Sequence, residues 1–203
     1  MRTRRIAGMV LLVLALALPA AAQAPWPRNP TPERVTFFAE AGGLVPVGRF
    51  SDAADGGFAP IAGGLYRLNE IVAPVVQFQW GFLDAKRQST FGGGGSIDAL
   101  NLLGGVRLYL PVKGVVHPWA TALAGWAHYA SHSHPPPQPA FGVARNSRDD
   151  PAFSVGGGLD FQLHPNFSLG IDARALFSIS TDTDRGARDL TAVSIAGAAL
   201  FHF

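Results

Sequence analysis

The chain of 203 residues contains no cysteine. That absence excludes disulfide staples and a lipid-anchored N-terminal cysteine. Beyond Gln23 no apolar run approaches the roughly 20 residues that a membrane-spanning helix needs. If the mature chain stands in a membrane it must therefore do so as closed β-structure, because lipid cannot satisfy an open sheet edge. Charge is scarce too, at 15% of residues. Of the 16 lysines and arginines, Arg2, Arg4 and Arg5 belong to the extreme N-terminus; removing them leaves 13 against 14 acidic residues, a formal charge of −1. A nucleic-acid partner has no electrostatic footprint in that balance. What the chain has in quantity is glycine, 24 residues, many for a packed soluble core.

The N-terminus has the layout of a secretory signal peptide: a positive start, an apolar stretch from Val10 to Leu18, and the small residues Ala20, Ala21 and Ala22. The apolar stretch is short for a retained anchor. Cleavage after Ala22 is preferred to cleavage after Ala24, which would leave Pro25 at the new terminus. The expected organisation is a signal peptide over 1–22, a periplasmic segment over 23–34 and one domain over 35–203.

Period-two alternation, broken at Gly, Pro, Asn and Asp, predicts eight strands. They fall near Val35–Val45, Phe58–Leu68, Val72–Leu83, Ile97–Leu110, Trp119–Ala130, Ala152–Leu163, Phe167–Ile179 and Leu190–Phe203. Eleven residues at about 3.3 Å each, tilted near 40°, rise roughly 28 Å, the height of the apolar band of a transmembrane barrel. Alternation is clearest in the seventh strand. Phe167, Leu169, Ile171, Ala173, Ala175, Phe177 and Ile179 oppose Ser168, Gly170, Asp172, Arg174, Ser178 and Ser180, with Leu176 out of pattern. Connections alternate in length: short near Asn69–Ile71, Pro111–Pro118 and His164–Asn166, longer near Pro46–Gly57, Asp84–Ser96, Ser131–Pro151 and Ser180–Asp189. Short periplasmic turns and longer external loops are the habit of outer-membrane barrels.

The chain ends on Phe203, preceded at every second position by Phe201, Ala199, Gly197 and Ile195, and it carries Gly-Gly pairs such as Gly42–Gly43. In these features it resembles the small eight-stranded outer-membrane β-barrels, the porin-like OmpA/OmpX-type family, over essentially the whole mature sequence. The resemblance implies an all-β fold, a closed antiparallel up-and-down barrel. It implies export across the inner membrane, residence in the outer membrane among its lipids, and Phe201 and Phe203 as the signal read by the barrel-assembly machinery.

Turning the polar faces inward places Glu40, Arg67, Arg107, Asp160, Asp172 and Arg174 in the lumen, three acids and three bases. Matched charges in a narrow, dry space pair rather than stand free, so a salt-bridged plug is expected ahead of an ion-selective pore. Asp160 and Asp172 read as ion-pair partners ahead of a catalytic carboxylate pair. A lipid-modifying enzyme would need a histidine and a serine near the outer rim, where His132, Ser133 and Ser147 stand without a family signature. His128, His132 and His134 are evenly spaced, as three imidazole ligands for zinc or copper would be, but solvated rim residues are the expectation and no cofactor is predicted. Gly92–Gly95 reads as a flexible external loop, since no Lys-Ser/Thr follows it. Residues 132–151 form the longest expected external segment, with Arg145, Arg148, Asp149 and Asp150 exposed. Trp119 and Tyr129 fit an interfacial aromatic belt, and Trp126, sharing a face with His128, fits the lumen.

The functional expectation is a non-enzymatic outer-membrane protein with a largely plugged lumen and external loops, serving envelope integrity or surface interaction through a loop ligand the sequence does not name. A narrow channel for small solutes is the alternative.

Overall fold

The computed structural model describes residues 34–52, 54–86, 95–133, 145–179 and 190–203. The expected signal peptide, residues 23–33 of the periplasmic segment, Gly92–Gly94 and His134 lie outside the described residues. Eight antiparallel strands run in chain order: β1 Val35–Val47, β2 Ala54–Tyr66, β3 Val72–Ala85, β4 Gly95–Tyr109, β5 Val116–Ser133, β6 Arg145–His164, β7 Phe167–Ser178 and β8 Leu190–His202. Each pairs with its sequence neighbours, and β8 pairs with β1 to close the barrel. Closure reaches the last residue, because Phe203 and Val35 exchange backbone hydrogen bonds of 2.8 and 3.2 Å.

Tracing paired residues from Asp160 through Gly170, Ala198, Glu40, Ile61, Gln79, Asn101 and Ala127 returns to β6 at Asp150, ten residues away. A stagger of that size around eight strands accompanies a tilt of roughly 40° and an interior that side chains can fill. One row of pairs therefore climbs the full height of the barrel, from the end that holds Phe203 and the short turns to the end that holds the longer connections. These are called the near and far ends below.

The outside of the wall is the apolar face. Phe37, Val76, Phe78, Trp80, Leu102, Val155, Ile171 and Phe201 are exposed, and Ile195 reaches 67%. A soluble barrel turns such residues inward; an exterior of this kind matches a hydrocarbon phase. Leu176 is not out of pattern, since it is buried in the lumen as its position in the alternation requires, among the inward apolar residues Phe38, Leu44, Leu103 and Leu200.

Two sequence expectations are corrected. The first long connection shrinks to a short 3-10 helix, Gly48–Asp52, entered through Gly48 at φ 63°, because β1 runs on to Val47 against β8 and β2 begins at Ala54 against β3. The expected external segment 132–151 is wall at both of its ends: β5 extends to Ser133 and β6 begins at Arg145, paired from His132↔Arg145 onward, while residues 134–144 lie outside the described residues.

Candidate functional site: the filled lumen

Alternation alone carries the chemistry inward. Glu40 from β1, Arg107 from β4, Asp160 from β6, and Asp172 with Arg174 from β7 are each 5% exposed or less. Arg174 is the hub of one half of this belt. Its guanidinium donates to Glu40 Oε2, to Asp172 Oδ2 and, at 2.5 Å, to Gln77 Oε1. Arg107 is the hub of the other half, 3.8 Å from Glu40 Oε1 and 4.0 Å from Asp160 Oδ2. Glu40 thus bridges the two arginines. Such matching is what makes charge tolerable here, since an uncompensated buried ion costs several kcal/mol.

Aromatic groups close the belt on its near side. The Arg107 guanidinium lies 3.8 Å from the centroid of Trp119 and 5.2 Å from that of Phe38. The Trp119 indole N–H donates to Asp160 Oδ1 at 2.9 Å, and the Tyr109 hydroxyl reaches Asp160 Oδ2 at 3.4 Å. Arg67, just past the end of β2 and only partly buried, stacks over the Tyr109 ring at 4.3 Å. The six charged residues read from the sequence therefore all face the lumen, five in the belt and Arg67 at its near mouth. Room for the stack comes from glycine: a Cβ at Gly158 would stand 2.6 Å from the Trp119 ring, and one at Gly156 would stand 2.5 Å from Arg174 Cβ.

Trp119 and Tyr129 are corrected from belt residues to lumen residues, both buried, while Trp126 is exposed on the outside. Parity explains the reversal, since Trp119, Thr121, Leu123, Ala127, Tyr129 and Ser131 share one face and that face is inward. Asp150 is corrected as well. It is fully buried at the far end, 2.5 Å from Arg148 Nε, with the Ser178 hydroxyl donating at 3.4 Å. Sequence reasoning also missed the near-end cluster in which the Thr36 and Ser168 hydroxyls bond the two ring nitrogens of buried His202, at 2.9 and 2.8 Å. The even positions of β8 held the signal for it.

The remaining candidates lie on the outside. His128 Nδ1 is 2.6 Å from Asp149 Oδ1, to which the Trp126 indole also donates at 3.3 Å. His132 Nδ1 is 3.8 Å from Asp98. His128 and His132 point outward on β5 and are held by carboxylates of neighbouring strands; among the described residues no group of three or more metal-binding side chains forms. Ser147 is exposed.

No family model matches the chain, and no curated protein matches it. Among solved structures it is similar to Neisserial surface protein A, at 12% identity and TM-score 0.64, over 83% of this chain and 97% of that one. It is also similar to Ail, the attachment invasion locus protein of Yersinia pestis, crystallised with the heparin analogue sucrose octasulfate, at 17% identity and TM-score 0.49, over 84% and 97%. The N-terminal β-barrel domain of Pseudomonas aeruginosa OprF is a third, at 12% identity and TM-score 0.45, over 85% and 100%. The first likeness, with the closed order β1 to β8, shows that the chain has the fold of the small eight-stranded outer-membrane β-barrels.

Proposed function

We propose that this protein is a non-enzymatic resident of an outer membrane, whose wall stands in lipid and whose far-end connections meet the outside, serving envelope integrity or surface interaction. The observation that carries the reading is the Arg107 guanidinium, 2% exposed and packed against Trp119, Phe38, Glu40 and Asp160. A lumen filled at that level supports the wall and passes little. The likeness to a Neisserial surface protein fits the same role. Export across the inner membrane by the N-terminal signal, contact with outer-membrane lipids and recognition of Phe201 and Phe203 by the barrel-assembly machinery complete the proposal; nucleic acid has no part in it.

Two measurements test it. Envelope fractionation is expected to place the protein in the outer membrane, in a form that shifts on gels when boiled. Planar-bilayer recording of the purified protein is expected to show no reproducible single-channel steps. The second reading, a narrow channel for small solutes, is favoured by the buried polar side chains Gln77, Gln79 and Asn101 along the lumen. Reproducible steps abolished by substitution of Arg107 or Arg174 would establish the channel and overturn the plug.

A further inference from the structure

The ladder between β2 and β3 breaks at the far end. Register jumps from Ala54↔Ala85 to Gly57↔Leu83, so Asp55 and Gly56 stand opposite the single residue Asp84. Glycine occupies both positions after Asp55. A Cβ at Gly57 would stand 1.8 Å from the Phe82 carbonyl oxygen, while one at Gly56 would meet only the Leu44 carbonyl oxygen, at 3.5 Å. Neither residue puts a side chain into the space at the break. What remains is a recess of about 650 Å³, within the roughly 300–1,000 Å³ of small-molecule sites.

The recess opens on the outside of the wall. Val45, Phe58 and Phe82 are exposed there, and the buried Leu44 and Leu83 line its depth. Trp80 continues the apolar surface toward the near end, its ring 5.0 Å from that of Phe82. The other side of the recess is acidic. Asp84 and Asp98 line it together with Ser96, which pairs with Asp84, while Asp98 pairs with Phe82. The two acids are therefore diagonal neighbours on adjacent strands, with Cα atoms roughly 7–8 Å apart. Among the described residues neither has a lysine or arginine partner. The nearby Lys86 is engaged elsewhere, 3.3 Å from Asp55 and donating to the Ser51 carbonyl at 2.7 Å, and Asp98 has only His132, at 3.8 Å.

We infer that this recess binds a cationic amphiphile, an apolar chain ending in a primary ammonium. The chain lies over Val45, Phe58 and Phe82, and the ammonium sits between Asp84 and Asp98. An ammonium carries three N–H donors, and the two carboxylates with the Ser96 hydroxyl offer three acceptors. Charge complementarity selects this ligand class. A bare metal ion would leave the apolar surface uncovered, and an anionic chain would meet both carboxylates. The inference rests on the reading that the far end meets the outside, and it gives the surface interaction proposed above a ligand class.

The test is backbone-amide NMR of the protein in phosphatidylcholine nanodiscs, titrated with dodecylammonium, dodecanol or dodecyl sulfate. Shifts at Gly56, Gly57 and Ser96 are expected to saturate with dodecylammonium, to need about tenfold more dodecanol, since a hydrogen bond to a charged group is worth about a factor of ten, and to be absent with the sulfate. An Asp84→Asn, Asp98→Asn double variant leaves the lumen belt intact and is expected to bring dodecylammonium down to the level of dodecanol. Gly56→Leu fills the recess where a Cβ has room and is expected to abolish saturation. Equal response to dodecylammonium and dodecanol, or a dodecylammonium titration that the double variant leaves unchanged, would overturn the site. Gel mobility with and without boiling reports separately on the barrel. A folded barrel without saturation overturns the site alone, whereas protein that does not insert into the nanodisc overturns the membrane reading on which the site rests.

Discussion

The Trp119 indole lies 3.8 Å from the Arg107 guanidinium and donates its N–H at 2.9 Å to Asp160, the acid that Arg107 also faces. One aromatic side chain thus orients both members of an ion pair that is otherwise loose, at 4.0 Å. The pair is held by its aromatic neighbour more than by contact.

Trp119→Phe separates these two roles. The ring face remains for Arg107 and the hydrogen bond to a charged acceptor is lost, an interaction worth about 1.5–3 kcal/mol. The expected outcome is a barrel of unchanged gel mobility whose urea midpoint falls by that free energy. Trp119→Ala, which also leaves a cavity, is expected to lose more, about 3–5 kcal/mol.

Arg174→Met tests compensation in the other half of the belt. It strands Asp172 and leaves Glu40 to Arg107 at 3.8 Å, both acids being buried, and removing one partner of a buried charge network costs about 3–5 kcal/mol. Adding Glu40→Gln and Asp172→Asn removes both charges. Urea titration of the single and triple variants is expected to show most of the loss recovered in the triple; no recovery would mean that Arg174 acts through packing alone.

How much of this was legible in the sequence depends on contrast between the two faces of each strand. In β7 the outward residues are apolar and the inward ones mostly polar, so strand, facing and the charges Asp172 and Arg174 could all be read directly. β2 reads poorly because both faces are apolar: Phe58 and Tyr66 outward, Ile61 and Leu65 inward. The far part of β6 looked like a loop because Arg145–Asp150 is polar, yet Asp150 shares parity with Asp160, Ser154 and Ala152, and counting by two from Asp160 finds it. Trp119 was misplaced because an aromatic near a strand end suits a lipid interface as well as a lumen. What decides between them is the charge it meets, Arg107 and Asp160, and those lie on other strands. The resemblance to small outer-membrane barrels rests on the terminal aromatics and the Gly-Gly pairs, and those features depend on no side-chain pairing.

Gly158→Val places a branched side chain where even a Cβ would stand 2.3 Å from the Ile171 carbonyl oxygen and 2.6 Å from the Trp119 ring. Neither obstacle yields cheaply, since one is backbone and the other is wedged against Arg107. Overpacking of this kind costs about 1–3 kcal/mol or more. Refolding into detergent is expected to give a lower yield of the heat-modifiable form, with the survivors less stable to urea.

Ile171→Arg tests which way the wall faces. Ile171 is 48% exposed on the outside of β7, near the middle of the strand. A charge there, in a bilayer, is expected to destabilise by about 2–4 kcal/mol. Lys113→Gln, in the connection between β4 and β5, is expected to stay within about 0.5 kcal/mol. Equal tolerance at the two positions, measured by unfolding from lipid vesicles, would show that the outward face does not stand in hydrocarbon.

Phe203 separates packing from recognition. Its ring is exposed, 6.0 Å from Phe37 in an edge-on arrangement, while its backbone closes the seam with Val35. Phe203→Ala keeps the backbone bonds and removes the aromatic pair, worth about 0.5–1.5 kcal/mol. A refolded barrel is therefore expected to be only slightly less stable to urea. If the terminal aromatic is also the feature that the assembly machinery reads, the amount of folded barrel in the envelope of living cells should fall several-fold, far beyond what so small a stability change accounts for. Comparing the urea midpoint of the refolded variant with its folded yield in the envelope checks this. A modest loss in both would reduce Phe203 to a packing residue at the seam.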